Sequence, residues 1–255
     1  MITYPNAKIN IGLNIIEKRP DGYHNIETVF YPAALYDILE INESHNSTDH
    51  YTFTGIDTGC ADENNLCVKA VKLMRKHYHF PAINLHLHKQ IPHGTGLGGG
   101  SSDASYTLVM LNHLFNLHIS PPELEKLSLE LGSDCPFFIQ NKPVLASGRG
   151  EIFTPLSLDL NSYEIRFAFP GFNISTAYAY SKVKPAIPAK KLAELIGLPV
   201  NEWKGKIIND FEKALAGDFQ QIERIKQKFY REGAIYSSLS GSGSAVYGVF
   251  EKSRT

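Results

Sequence analysis

Cysteine is scarce in this chain, with Cys60, Cys67 and Cys135 the only three among 255 residues. An odd count without metal-ligand spacing points to reduced thiols in a cytosol rather than to a disulfide framework. Neither sign of charge dominates. The 25 Lys and Arg against 26 Asp and Glu leave a net charge of −1, which argues against a nucleic-acid-binding surface. No apolar run is long enough to span a bilayer. The N-terminal Met-Ile-Thr-Tyr-Pro-Asn-Ala-Lys lacks the charged-then-apolar pattern of a signal peptide. Repeats and low-complexity tracts are also missing. With 43% hydrophobic residues the chain can still bury a sizeable core. The expectation is a soluble, cytoplasmic globular protein with no nucleic-acid or membrane partner.

What the chain has is glycine, concentrated in one place. Residues 92 to 105 read Pro-His-Gly-Thr-Gly-Leu-Gly-Gly-Gly-Ser-Ser-Asp-Ala-Ser, with five glycines (Gly94, Gly96, Gly98, Gly99, Gly100) in seven positions. Glycine permits positive φ and close approach of backbone to a ligand. Two serines and an aspartate follow, all good helix-start residues. Ala104, Leu108, Leu111 and Phe115 then recur at helical spacing. A glycine loop feeding a helix N-terminus gathers unpaired N–H groups and the positive end of the helix dipole, which together favour phosphate.

Elsewhere the pattern alternates between strand and helix. Ala7, Ile9, Ile11, Leu13 and Ile15 alternate with Lys8, Asn10, Gly12 and Asn14, which predicts a half-buried strand with Lys8 and Asn10 on one face, roughly 7 Å apart. Pro20-Asp21-Gly22 is a turn signal. Residues 27–41 read as further strand, and Asn64-Asn65 caps a helix running to about His79. Ile83 to Lys89 alternates again. Ser120-Pro121-Pro122-Glu123 is a capping box with proline at the first helical position, and Gly132 is its expected stop. Asp134 then falls in the turn past that helix, and Pro136 pushes Cys135 toward extended geometry. Gly148-Arg149-Gly150 is the candidate boundary between domains 1–150 and 151–255. Beyond it, 163–169 reads as strand, 209–215 and 219–229 as helices, and 234–239 and 245–250 as strands around Ser240-Gly-Ser-Gly-Ser244. The class is α+β or α/β, in two lobes.

Three familiar glycine loops do not fit. Gly94-x-Gly96-x-x-Gly99 satisfies the dinucleotide pattern, but the acidic residue expected ~20 positions on is missing, and more than ninety residues precede the motif. No Gly-Lys-Ser/Thr follows, which removes the P-loop. A protein-kinase glycine loop lies between strands, whereas this one opens a helix.

Taken together, the segment from Pro92 to Ala104, Pro5-Asn-Ala-Lys-Ile-Asn10 and Leu239-Ser-Gly-Ser-Gly-Ser244 resemble the three motifs of the GHMP kinases. Arg19-Pro-Asp-Gly-Tyr-His24, Gly132-Ser-Asp-Cys-Pro-Phe137 and Asn209-Asp-Phe-Glu212 narrow the resemblance to the branch acting on a cytidyl-diphosphate-linked sugar alcohol. It runs from residue 4 to about residue 250, and the Gly-Gly-Gly-Ser-Ser-Asp-Ala loop is its most specific part. The resemblance implies an α+β, two-lobed fold, with an N-terminal ribosomal-protein-S5-like lobe, a C-terminal α/β sandwich lobe and the active site between them. It implies transfer of the ATP γ-phosphate to the 2-hydroxyl of a CDP-linked methylerythritol, in the non-mevalonate route to isoprenoid precursors, by a monomer or weak homodimer.

The same resemblance assigns roles. Asp134 is the catalytic aspartate, and Lys8 the lysine that keeps it ionised or stabilises developing oxygen charge. Pro92, His93, Gly94, Thr95, Gly96, Leu97, Gly98, Gly99, Gly100, Ser101 and Ser102 form the ATP loop, with Asn65 and Lys89 near the adenosine. Asn10, Tyr23, His24, Thr176 and Tyr180 contact the substrate, Tyr23 and His24 at the cytosine. The second stacking aromatic is Tyr180 or Tyr178. Mg²⁺ accompanies the ATP phosphates, reached by Ser101 or Ser102, with no dedicated metal carboxylate. Asp103 is expected to serve the helix N-terminus. His93 and Thr95 occupy positions that vary in the family, and Tyr180 replaces a frequent Phe. His77, His79, His86, His88 and His93 cluster in sequence, but with no cysteine or carboxylate placed among them no metal site is expected. The competing readings are a GHMP kinase for a small alcohol such as homoserine or mevalonate, a nucleotide-binding regulatory protein without catalysis, and a Rossmann oxidoreductase.

Overall fold

The computed structural model of the protein describes residues 1–252. In chain order the strands are β1 (Ile2–Thr3), β2 (Asn6–Lys18), β3 (His24–Tyr36), β4 (Ile38–Glu43), β5 (His50–Gly55), β6 (Ile83–Lys89), β7 (Val144–Ser147), β8 (Ile152–Pro155), β9 (Tyr163–Ala168), β10 (Tyr236–Leu239) and β11 (Val246–Glu251). The α-helices are α1 (Leu66–His77), α2 (Gly99–Leu114), α3 (Pro121–Leu129), α4 (Cys135–Gln140), α5 (Thr176–Lys182), α6 (Leu192–Leu195), α7 (Asp210–Leu215) and α8 (Gln220–Arg231). Mostly antiparallel sheets with separate helices make the class α+β. No helix among the described residues is long and apolar enough to cross a membrane.

Two compact units share the chain. The first comprises Met1–Ala7, Ala34–His93 and Gly98–Asn141; the second comprises Lys8–Ala33, Gly94–Leu97 and the described residues from Lys142 on. The single cut expected near Gly150 is not where they part. Gly148-Arg149-Gly150 is the turn of the β7–β8 hairpin, closed by the Gly150 N–H on the Ser147 carbonyl at 3.0 Å. A hairpin turn and a linker draw on the same residues, so composition does not separate them.

In the first unit the sheet order is β1-β4-β6-β5, with β5 parallel to β6 and the other pairs antiparallel. The alternation of β6 turns Ile83, Leu85 and Leu87 into the core, where they join Val71 and Met74 of α1 and Leu108 and Leu111 of α2. Each such side chain contributes about 1.5–3 kcal/mol by burial. Asn65 caps α1 by accepting the Cys67 N–H at 2.9 Å, as its sequence predicts. The capping box of α3 forms, with the Glu123 carboxylate accepting the Ser120 N–H at 3.0 Å. Cys135 departs from expectation, because it is helical rather than extended, the first residue of α4. Its N–H donates to Gly132 at 3.1 Å and its carbonyl accepts from the Ser105 hydroxyl at 2.8 Å, and burial of Phe137 and Phe138 holds the turn against the proline's preference.

One buried charge cluster sits in this core. Lys89, at the end of β6, bonds both Asp37 and Asp103, the latter at 2.6 Å, and all three side chains are almost wholly enclosed. Asp103 therefore does not cap α2 as expected; it is an ion-pair partner inside the first turns of that helix. The other oxygen of Asp37 accepts the Gln90 and Ile91 N–H groups at 2.5 and 2.9 Å. Removing one member of a buried pair strands a charge, at a cost of about 3–5 kcal/mol.

In the second unit one sheet runs β2-β3-β7-β8 and the other β10-β11-β9. Leu13, Ile15, Phe211, Leu215, Ile222, Phe229, Leu239 and Val246 fill its core. The half-buried strand expected from Ala7 is in fact buried on both faces. Lys8 and Asn10 are 3% and 2% exposed, because their face is covered by Thr28, Phe30 and Tyr247 instead of water.

Burial, assisted by the charge of Asp37, pushes the Asp103 carboxyl up to about 8. The folded protein thus holds a proton that the unfolded chain releases near pH 4, about the ordinary carboxylate value. That stabilisation is complete below the unfolded value and is lost as pH rises to about 8. The melting temperature of wild type relative to Asp103→Asn should fall between pH 6 and pH 8 and level off above, as scanning calorimetry across that ~2-unit range would show. A constant difference would assign the proton elsewhere.

Candidate active site

The candidate residues form two clusters, one in each unit. In the first unit, Gly98 takes the left-handed conformation (φ 70°) and turns the chain directly into α2. The Ser102 N–H is the first to find a helical carbonyl, that of Gly98 at 2.9 Å. The N–H groups of Gly99, Gly100 and Ser101 precede it at the positive end of the helix dipole. The Ser102 hydroxyl is buried and has no hydrogen-bond partner, an arrangement that costs free energy unless a ligand completes it. Gly99 has a packing role as well, since a Cβ there would lie 2.9 Å from Ile91.

Asp134 occupies the turn between α3 and α4, half-buried. That turn is tied to α2. The Ser105 hydroxyl holds the Cys135 carbonyl, and a Cβ on Gly132 would come within 3.9 Å of the Ser101 hydroxyl. Burial raises the neighbouring Cys135 thiol to about 11, which removes it as a nucleophile.

Asn65 and Lys89 line one cavity of about 190 Å³ with Phe53, Gly55 and Cys60. Both have other partners there, since the Asn65 carbonyl oxygen caps α1 and the Lys89 ammonium is held by two carboxylates. Pro92 is half-buried and His93 exposed at the entry to the glycine loop. On β6, His86 and His88 both meet the Thr54 hydroxyl, at 2.8 and 2.9 Å, as parts of a polar sheet face.

In the second unit, Gly94 to Leu97 are pinned by three backbone ties. Thr95 O accepts the Ala245 N–H at 3.0 Å, Gly96 O accepts the Ser240 hydroxyl at 3.0 Å, and Leu97 O accepts the Lys8 N–H at 2.8 Å. Thr95 and Leu97 are themselves buried. The Lys8 ammonium donates to Asn10 Oδ1 at 2.6 Å and lies 4.7 Å from the Phe30 ring centre. Asn10 Nδ2 donates to Thr28 Oγ1 at 3.0 Å, and Thr28 in turn donates to the Gly12 carbonyl at 2.5 Å. Asn10 is thus first a holder of Lys8, with one amide hydrogen beyond the bond to Thr28. Asn209 anchors the Ser240–Ser244 loop through the Leu239 and Gly241 carbonyls, at 3.0 and 2.8 Å.

His24 and Tyr180 stack, with ring centres 4.8 Å apart and planes 22° from parallel, and Phe211 meets Tyr180 edge-on. Tyr178 is engaged elsewhere, its hydroxyl donating to Asp218 at 2.6 Å. Tyr23 is 57% exposed and carries the Arg149 guanidinium 5.0 Å above its ring. Its turn is closed by the Arg19 N–H on the Tyr23 carbonyl at 2.8 Å. Thr176 and Ser242 exchange a hydroxyl hydrogen bond at 3.2 Å. Sequence reasoning missed Asp37, Thr28 and the positioning role of Asn209. Asp37 carried a signal, as a lone acid inside the apolar stretch Ala33-Ala-Leu-Tyr-Asp-Ile-Leu.

Comparison with known proteins gives the family. The family model for the GHMP kinases N terminal domain matches residues 65–142, and that for the GHMP kinases C terminal matches residues 192–255. The chain belongs to the GHMP kinases. Within that family it is similar to proteins named 4-diphosphocytidyl-2-C-methyl-D-erythritol kinase. One from Azobacteroides pseudotrichonymphae genomovar. CFP2 is 50% identical over 253 residues, covering 99% of this chain and 94% of the relative. Another, from Bacteroides fragilis, is 48% identical over 252 residues, covering 98% and 92%. A crystal structure of 4-(cytidine 5'-diphospho)-2C-methyl-D-erythritol kinase superposes with a TM-score of 0.81 at 29% identity, covering 98% of this chain and 90% of that one. A mevalonate kinase structure shares the fold, with a TM-score of 0.75 at 15% identity over 98% of this chain and 91% of that one.

The close approach at Gly96 generates a prediction. Its φ is +80°, and a Cβ there would stand 2.1 Å from the Ser240 carbonyl oxygen. Gly96→Ala should lower the melting temperature and raise the KM for ATP by about tenfold or more, from strain of ~1–2 kcal/mol plus the displaced loop. Wild-type values for both would show that the two loops do not depend on each other.

Proposed function

We propose that the protein transfers the γ-phosphate of ATP to the 2-hydroxyl of 4-diphosphocytidyl-2-C-methyl-D-erythritol, giving the 2-phosphate and ADP, in the non-mevalonate route to isoprenoid precursors. One observation carries the reaction class. A left-handed glycine opens α2 so that its first N–H groups and the unpartnered Ser102 hydroxyl are available to phosphate, with the Asp134 turn tied to the same helix. The names of the full-length relatives support the acceptor.

A tertiary alcohol is a weak nucleophile, so the site must take its proton and stabilise charge. Asp134 accepts that proton. Lys8, fixed by Asn10 and Phe30, supplies positive charge to the reacting oxygens. Residues 94–102 hold the triphosphate, largely through backbone N–H groups, with Pro92 and His93 at the loop entry and Asn65 and Lys89 in the wall of the cavity that takes the adenosine. Mg²⁺ suits an oxygen donor such as the orphaned Ser102 hydroxyl, with Ser101 beside it, and when bound it neutralises phosphate charge.

Tyr23, His24 and Tyr180 hold the cytosine, with Thr176 and the spare amide hydrogen of Asn10 on the rest of the substrate. Burial, then the charge of Lys18, lowers the His24 imidazole below its ordinary value, so near neutral pH it is uncharged and offers one donor and one acceptor to a base edge. Balanced charge and reduced thiols support a cytoplasmic enzyme that handles small molecules.

The test is ADP release by the purified protein with ATP, Mg²⁺ and the cytidyl substrate, beside homoserine and mevalonate. Turnover with the cytidyl substrate alone is expected, and turnover with either small alcohol instead would replace the acceptor. Asp134→Asn should lose about 10²–10⁴ in kcat while ATP affinity by calorimetry stays unchanged. Wild-type turnover would remove Asp134 from the chemistry. Tyr180→Ala should raise the KM for the cytidyl substrate about tenfold with little effect on that for ATP, since base stacking contributes ~1–3 kcal/mol. Equal effects on both would count against stacking.

A further inference from the structure

One large cavity of the second unit has no part in the reaction described above. Its volume is about 1000 Å³, at the upper end of small-molecule sites, and none of its lining residues is assigned to phosphoryl transfer. Its lining is apolar through Val183, Leu192, Leu195 and Ile207. At its edge stand Ile187 and Ile208, which are 85% and 50% exposed, apolar surface that the protein's own core does not cover.

The charge on that lining is one-sided. Lys182, Lys184, Lys190, Lys206 and Lys213 face a single carboxylate, Asp210. Two of the five are neutralised, Lys182 by Asp218 at 3.1 Å and Lys206 by Glu202 at 2.7 Å. Lys184, Lys190 and Lys213 make no ion pair among the described residues. Asp210 is occupied by the Ile15 N–H at 2.7 Å. The segment over the cavity is built into the unit at both ends, by the Ala186 N–H on the Ile15 carbonyl at 2.9 Å and the Leu192 N–H on the Glu27 carboxylate at 3.1 Å.

An apolar chamber with two unmatched ammonium groups, Lys184 and Lys190, and a third, Lys213, whose charge is shared with Asp210, selects a ligand with an apolar body and a multiply charged anionic head. Lysine, a compact point charge, suits phosphate oxygens. We propose that this cavity binds an aliphatic phosphate or diphosphate ester, at a site separate from the one that takes the cytidyl substrate.

Isothermal titration calorimetry on the full chain with geranyl diphosphate tests this independently of kinase activity. Geranyl diphosphate should bind about tenfold or more tightly than inorganic diphosphate, because only the ester uses the apolar walls. Saturating CMP should leave that binding in place. Lys184→Glu combined with Lys190→Glu should weaken it by about tenfold or more while leaving melting temperature and turnover as in wild type. Leu195→Trp, which fills the chamber and keeps every lysine, should abolish it. Absence of binding heat, equal affinity for inorganic diphosphate, displacement by CMP, or unchanged affinity in both variants would each overturn the proposal. Capture of the protein by phosphatidic acid vesicles, with no affinity for the free ester, would also overturn it in favour of a lipid headgroup.

Discussion

The N-terminal end of α2 depends on one buried ammonium. Lys89 closes β6 and is shared between Asp37, which stands between β3 and β4, and Asp103, in the second turn of α2. Through Asp37 the same cluster also fixes the backbone of Gln90 and Ile91, the last residues before the loop. A glycine-rich segment has little conformational preference of its own. Its geometry is therefore imposed from its ends, and in the first unit both ends refer to this one cation. Burial, assisted by the charge of Asp37, raises the Asp103 carboxyl, whose Oδ1 has no hydrogen-bond partner.

The second unit solves the corresponding problem with neutral groups. Lys8 is positioned by an amide, the amide by a hydroxyl, and the hydroxyl by the Gly12 carbonyl, a relay of short bonds along the paired strands β2 and β3. Ser240, Asn209 and Tyr247 extend it, each joining backbone to side chain. No member except Lys8 carries charge, so the relay orients the cation without neutralising it.

Local pattern made most elements legible. The 83–89 alternation, the Asn65 cap, the Ser120–Glu123 box and the helix after Gly98 all form as their residue spacing predicts, because the signal for each is carried by residues within a few positions of one another. What pattern alone did not show depended on partners distant in sequence. Lys8 and Asn10 looked like a solvated face because alternation cannot report what covers a strand. Lys89 looked like a strand end near a nucleotide, and its two acids lie 52 and 14 positions away. Gly148-Arg-Gly150 looked like a linker because turn chemistry says nothing of what pairs on either side. Of the candidate site, the glycine loop and the Asp134 turn could be located from sequence, whereas the packing of Tyr180 on His24 and of Tyr178 against Asp218 depends on partners that the pattern does not show.

The interleaving of the two units has a consequence for how the chain is made. A ribosome delivers residues in order, and the first unit receives its last segment with Asn141. By then most of β2 and β3, which belong to the second unit, have long emerged without β7, β10 or β11. Those apolar strands, carrying Ile9, Ile11, Leu13, Val29 and Phe30, must wait for more than a hundred residues of synthesis before their sheet can be completed. During that interval they have unpaired edges, the feature most open to pairing with another chain. Chaperone dependence in this protein should therefore concentrate on these two early strands, although Ile9, Ile11, Leu13, Val29 and Phe30 end up among the most deeply buried side chains in the finished enzyme.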